Sequence, residues 1–424
     1  MWRTVLLGTL LGLAFLADSL QAQRPEPPRL LDDIRFLSDD RLQGRMTGSP
    51  GADSAAAYLA RRFSQVGLQP AAGGWFQSFT VGREAPASRR AQIGPLVGKN
   101  VVGILPGRDP VLRNQTVILG AHYDHLGLGG FGSLDPDSTG LVHNGADDNA
   151  SGAAALIQVA ARLAASPPAR TVVFIAFSGE ELGLLGSAYY VKKPIYPLAS
   201  TLAMVNLDMV GRLRNGRLIV YGARSAKEFP ALLDSLNWYA GFDLKAQGDG
   251  YGPSDHSSFY TAKRPVLHLF TDLHEDYHRT TDDWQKVNYD GLKRVADFSL
   301  GLVTALANRT KPLTFLELAA PPTSQTEAPS YGTPGYGAYL GTVPDMTGSP
   351  GGVRLVGVRA GSPAEKAGLR GDDIITRIGS TETPDLQAMT DALRSHKPGE
   401  VVEILVRRGA RVTTLQATLG IRGG

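Results

Sequence analysis

The chain has 424 residues, room for two or three domains at ~150 residues each and for a sizeable buried core. Its 42% hydrophobic and 20% charged residues are those of an ordinary globular protein, and a net charge of +3 without a Lys/Arg block points to no nucleic-acid or anionic-membrane partner. With no cysteine, disulfides and a lipid-modified cysteine are excluded.

At the N-terminus Arg3 precedes the apolar run 5–16, and Ser19-Leu20-Gln21-Ala22 follows. Charge, apolar stretch and small residues in that order predict a secretory signal peptide over 1–22, cut after Ala22, and hence an exported protein, periplasmic or secreted. The run is short of the ~20 apolar residues of a membrane span, so none is expected after cleavage. Apolar residues at helical spacing predict a helix over 30–37, and a second over 52–66 stops at Gly67. Short apolar runs at 101–105, 116–121, 171–177, 202–207, 218–221 and 265–270 read as strands buried on both faces. Helical stretches at 153–165 and 292–307 alternate with them, which predicts an α/β domain over 23–312 with a mostly parallel central sheet flanked by helices. Residues 313–332 include a Pro/Ser/Thr-rich stretch and are expected to be a linker. The last segment, 333–424, holds short strands, turns and one helix, enough for a small β-rich domain.

Polar residues cluster just past the predicted strand ends, where ligands bind in open α/β sheets. Residues 171–177 run into Ser178-Gly179-Glu180-Glu181, 116–121 into His122-Tyr123-Asp124-His125 and 202–207 into Asp208. Imidazoles and carboxylates together suit zinc. The motifs Gly120-Ala121-His122-Tyr123-Asp124-His125, Asn144-Gly145-Ala146-Asp147-Asp148-Asn149-Ala150-Ser151-Gly152, Gly179-Glu180-Glu181-Leu182-Gly183, Asn206-Leu207-Asp208-Met209 and His278-Arg279-Thr280-Thr281-Asp282-Asp283, in this order, resemble the co-catalytic two-zinc aminopeptidases (aminopeptidase Y-like zinc exopeptidases) over roughly 30–310. That family is related in fold to glutaminyl cyclases and glutamate carboxypeptidases.

The resemblance implies two Zn²⁺ per chain. Asp147 would bridge them, His122 and Asp208 would complete one, and Glu181 and His278 the other. Three carboxylates against four positive charges leave room for a bridging hydroxide, with Glu180 as general base and a cis peptide between Asp147 and Asp148. Asp124 would orient His122 from behind. Tyr251, in Gly250-Tyr251-Gly252-Pro253-Ser254-Asp255-His256, would donate to the tetrahedral oxyanion. Read as a residue alone, it is equally an aromatic packing group. His125 and His143 line the cleft or serve the structure, His256 is structural or stands behind the ligands, and His268 is a core histidine. His274 is spaced i, i+4 from His278, but His278 heads the matching motif. The implied activity is removal of the N-terminal residue of peptides with a free N-terminus; glutaminyl cyclisation, carboxypeptidase activity and an inactive peptide-binding adaptor are the alternatives.

In the C-terminal segment, Tyr339-Leu340-Gly341-Thr342-Val343 and Gly361-Ser362-Pro363-Ala364-Glu365-Lys366-Ala367-Gly368-Leu369 resemble bacterial PDZ domains. The resemblance implies a groove that takes a peptide's free C-terminus as an added strand. A folded appendage that only positions the enzyme is an equal reading.

Overall fold

The computed structural model describes residues 29–82, 94–130, 132, 133, 135, 138–317, 338–344, 351–359, 361–384 and 386–420. The expected signal peptide lies outside them.

The chain enters through α1 (Leu30–Leu37), which buries Leu30, Ile34 and Leu37 along one face. Helix α2 (Pro50–Gln65) starts where the Ser49 side chain accepts the Ala52 N–H and proline takes the first position, whose N–H needs no partner. Nine strands follow among the described residues: β1 (Gln69–Pro70), β2 (Phe76–Val81), β3 (Leu96–Leu105), β4 (Thr116–His122), β5 (Thr171–Phe177), β6 (Thr201–Leu207), β7 (Arg217–Tyr221), β8 (Asp243–Gln247) and β9 (Val266–Phe270). They form one sheet in the order β1-β3-β5-β4-β6-β9-β7-β8, with β2 added on β3. The centre, β5-β4-β6-β9, is parallel. The joins of β3 to β5 and of β7 to β9 are antiparallel. The sheet is therefore mixed, with a parallel heart and antiparallel flanks.

Both faces of that heart are covered, which is why its strands read as unbroken apolar runs. Along β5, Val172, Phe174 and Ala176 join the larger core. The intervening Val173, Ile175 and Phe177 join a second one. Helices α3 (Gly152–Ala164) and α7 (Tyr289–Asn308) fill the first face, through residues such as Leu156 and Leu302. Between them in the chain come α4 (Leu185–Lys192), α5 (Phe229–Ala240) and α6 (His256–Thr261). Tyr190 of α4 and Phe259 of α6 fill the second face.

The chain stays on this unit through 313–317, where the Leu316 N–H donates to the Ser225 carbonyl at 2.9 Å and Phe315 bridges Ala226. Residues 318–332 of the expected linker lie outside the described residues. A separate antiparallel sheet follows, built from β10 (Thr342–Pro344), β11 (Val353–Val358), β12 (Ile374–Ile378), β13 (Thr381–Glu382), β14 (Val401–Arg408) and β15 (Arg411–Thr418). With α8 (Pro363–Lys366) and α9 (Leu386–Ser395) it encloses its own core around Leu340, Leu355, Ile375 and Ile404. Among the described residues, no helix is long and apolar enough to cross a membrane.

Candidate metal centre

The parallel strands deliver their polar ends to one place. His122 is the last residue of β4, Asp208 follows β6, and Glu180 and Glu181 come three and four residues after β5. His122 Nε2 lies 3.2 Å from Asp208 Oδ1 and 3.3 Å from Asp148 Oδ1. On the other side, His278 Nε2 lies 3.2 Å from Asp148 Oδ2 and 3.3 Å from Glu181 Oε2. Donors held ~2.0–2.1 Å from a tetrahedral zinc ion lie about 3.3 Å apart, so these spacings fit two such ions. Asp148 stands between them, one oxygen toward each half. Glu180 offers an oxygen within 4.8 Å of His122 and Asp208 donor atoms.

The carboxylate that faces both His122 and His278 is Asp148, one residue after the Asp147 that the family resemblance implies as the bridge. Asp147 points away: its Oδ1 accepts the Gly211 N–H at 2.6 Å, and its Oδ2 meets His274 Nε2 at 3.1 Å. The cis peptide likewise joins Asp148 to Asn149, not Asp147 to Asp148. Two adjacent aspartates offer the same chemistry in the sequence, but at this turn their side chains diverge: Asp148 faces His122 and His278, and Asp147 faces His274. His274, rejected as a ligand from its motif position, is the partner of Asp147.

Residues 100–303 match the peptidase family M28, and residues 338–419 match the PDZ domain family. The chain carries a peptidase family M28 domain and a PDZ domain. Curated relatives include leucine aminopeptidases and a leupeptin-inactivating enzyme, 26–30% identical, and the chain spans about half the length of most of them. Aminopeptidase YwaD of Bacillus subtilis is 28% identical over 227 residues, 51% of this chain and 46% of that protein. Among solved structures, a Zn-dependent exopeptidase from Parabacteroides distasonis shares the fold at a TM-score of 0.55 and 20% identity, covering 67% of this chain and all of that one. Fimbriiglobus ruber glutaminyl cyclase shares it at 0.54 and 20%, covering 66% and 95%.

Behind the M28 domain's donor set lies a fully buried layer that aims it. His122 Nδ1 is 3.2 Å from the Asp124 carbonyl oxygen and 3.9 Å from its carboxylate. That carboxylate accepts the Thr47 hydroxyl at 2.9 Å and the Glu180 N–H at 3.2 Å, so Asp124 ties the end of β4 to the Glu180 turn. Ser254 donates to Asp208 Oδ2 at 2.7 Å, leaving Oδ1 for the His122 side. Asp282 accepts the backbone N–H groups of Asp147 and Asp148 at 2.9 and 3.1 Å, fixing the turn that presents Asp148. Arg45 lies beneath everything: its guanidinium donates to the carbonyls of Leu37, Tyr123, Asn144 and Gly145. Burial pulls its pKa down to about 10, against the charges of Asp124, Asp148, Asp282 and Glu181, so it remains a cation at neutral pH.

Burial, aided by the charges of Glu181, Asp208 and Asp255, pushes Glu180 well above the usual carboxylate range against the pull of His122. Burial likewise raises Asp255 to about 7.

Tyr251 lies edge-on to Tyr260, 4.7 Å between centroids, and burial raises its phenol above the usual range, with Glu317, Tyr260 and Tyr339 adding to it. Arg359 of the PDZ domain sits 5.0 Å over the Tyr251 ring and pairs with Asp249 two residues away. The aromatic group placed directly at the centre is Tyr277, stacked on His278 at 3.9 Å. Burial raises its phenol, and so do the charges of Asp148, Glu181, Glu180 and Asp208. His268 is buried and stacked on His256 at 4.4 Å, and burial lowers it to about 4, as for a neutral core histidine. His143 Nε2 meets the hydroxyls of Ser133 and Ser138 at 2.9 and 3.2 Å.

Tyr277, Arg45 and Asp282 carry no role in the sequence reading, although Asp282 stands in the His278–Asp283 motif. Tyr277 adjoins His278 in the motif and was within reach. Arg45 is separated by 78 residues or more from three of its four acceptors, and no local pattern announces it.

Proposed function

We propose that the protein is an exported two-zinc aminopeptidase that hydrolyses the N-terminal residue of peptides. The observation that carries this reading is Asp148, with its two oxygens 3.3 and 3.2 Å from His122 and His278. One half of the centre would then be His122, Asp208 and Asp148, the other His278, Glu181 and Asp148. Zinc bound there supplies a water acidified to near-neutral pKa and polarises the scissile carbonyl.

Glu180 takes the proton of the attacking water and passes it to the leaving amine. Its place beside His122 and Asp208, and its backbone anchor on Asp124, support that role. Tyr251 is proposed as the oxyanion donor by the family pattern alone. A free substrate ammonium suits this surrounding better than a carboxylate does. The cations at the base of the site are already committed: Arg45 to four carbonyls, and Arg212 to Asp276 and Asp282 at 2.9 and 3.1 Å. The PDZ domain is proposed to hold a peptide's C-terminus.

The second reading is a glutaminyl cyclase, favoured by the fold shared with such enzymes. A screen of zinc-loaded protein on aminoacyl p-nitroanilides, their N-acetyl counterparts and N-terminal glutaminyl peptides separates the two. The proposal requires turnover of the free-amine anilides only. Cyclisation of glutaminyl substrates with no anilide turnover overturns it in favour of the second reading.

A further inference from the structure

We propose that His125 is the positioning residue for Glu181 and so sets the affinity of the His278 half of the centre; this rests on the two-zinc reading above. Glu181 divides its oxygens. Oε2 faces His278 Nε2 at 3.3 Å, while Oε1 lies 2.7 Å from His125 Nδ1. The first spacing is that of two donors on one ion. The second is a hydrogen bond, too short for a pair of donors sharing a tetrahedral zinc at ~2.0–2.1 Å. His125 therefore holds the ligand and does not join it.

The tautomer follows from burial. The His125 side chain is fully buried, and its Nε2 has no hydrogen-bond partner. A buried bare lone pair costs less than a buried unpaired N–H, so the proton sits on Nδ1 and is donated to Glu181. The ring cannot turn away. Gly145, at a left-handed φ of +54°, abuts it so closely that a Cβ there would stand 2.5 Å from two ring carbons. The ring also meets His278 edge-on, with centroids 5.8 Å apart. Without the donor, Glu181 Oε1 would be buried and unpaired, and the carboxylate would be free to rotate off the ion. Loss of such an outer partner typically costs 10–100-fold in metal affinity. The His122 and Asp208 half should be untouched.

The test is competition for zinc between a fluorescent chelator and metal-free protein, comparing wild type with His125→Asn, His125→Gln and His125→Leu. The Asn amide nitrogen falls near Nδ1, and the Gln amide nitrogen near Nε2. Expected are two sites in wild type, one of them weakened about 10–100-fold in H125L and H125Q, and recovery to within a few-fold in H125N. Near-UV circular dichroism checks that each variant is folded; if H125L is not, the H125N and H125Q pair decides. Wild-type affinity at both sites in H125L or H125Q, or equal losses in H125N and H125Q, overturns the proposal. Failure of wild type to bind two ions instead sinks the two-zinc reading itself.

Discussion

Arg45→Met should cost the M28 domain about 3 kcal/mol. Arg45 is fully buried, and its guanidinium serves four backbone carbonyls drawn from three stretches of chain: Leu37, Tyr123, and the Asn144-Gly145 pair. The Gly145 carbonyl keeps the Ala150 N–H at 3.2 Å, so three acceptors lose their donor, and at the low end of ~1–3 kcal/mol each that gives about 3 kcal/mol. Methionine fills much of the volume, which keeps the cavity contribution small. Against a total of ~5–15 kcal/mol, that is enough to bring the domain close to its folding threshold. Arg45→Lys keeps the charge but has three donors on one atom, and should lose less. The assay is urea unfolding followed by tryptophan fluorescence. Trp75, Trp238 and Trp284 all lie in the M28 unit, and residues 318–424 contain no tryptophan, so the signal reports the right domain. A loss under ~1 kcal/mol in R45M, with the midpoint shifted and the slope unchanged, would show that the carbonyls find other partners and that Arg45 does not hold the turn.

Glu180→Gln should lower turnover by ~10²–10⁴-fold with both zinc ions retained, because it removes a proton acceptor and no ligand; activity within a few-fold of wild type rules Glu180 out as the base. Glu181→Gln should lower zinc content as well, measured by elemental analysis after dialysis. A chain ending at Glu317 should keep its full zinc content and turn over small aminoacyl anilides within a few-fold of the intact protein, since every proposed ligand lies between His122 and His278. Its hydrolysis of long peptides should change. Arg359, which sits over Tyr251, makes KM the parameter to watch; loss of zinc on truncation would contradict this separation of the two domains.

Much of the fold was legible because apolar runs buried on two faces carry a strong signal. The strands expected at 116–121 and 171–177 lie within β4 and β5. The flanking strands β2 and β8 were not read. β2 carries exposed and buried residues in an irregular mixture, and β8 is a short polar strand, Asp243–Gln247, at the end of the sheet. At the candidate site, His122, Glu181, Asp208 and His278 were singled out from strand ends and motif order, and the structure brings them together. The choice between Asp147 and Asp148 was beyond the sequence. It depends on which of two neighbouring carboxylates a turn aims inward, and that turn is held by Asp282 from 134 residues away. The role of His125 was open for the same reason: its partner Glu181 is 56 residues distant.

The central claim is that Asp148, and not Asp147, is the carboxylate shared by two zinc ions. The direct measurement is zinc per chain, by elemental analysis, in wild type, Asp148→Asn and Asp147→Asn purified without chelator and dialysed against metal-free buffer. The structure predicts two zinc ions in wild type, a loss of zinc from both halves in D148N, and near-normal content in D147N, whose carboxylate faces Gly211 and His274. Two tightly held ions in D148N with loss in D147N would contradict it.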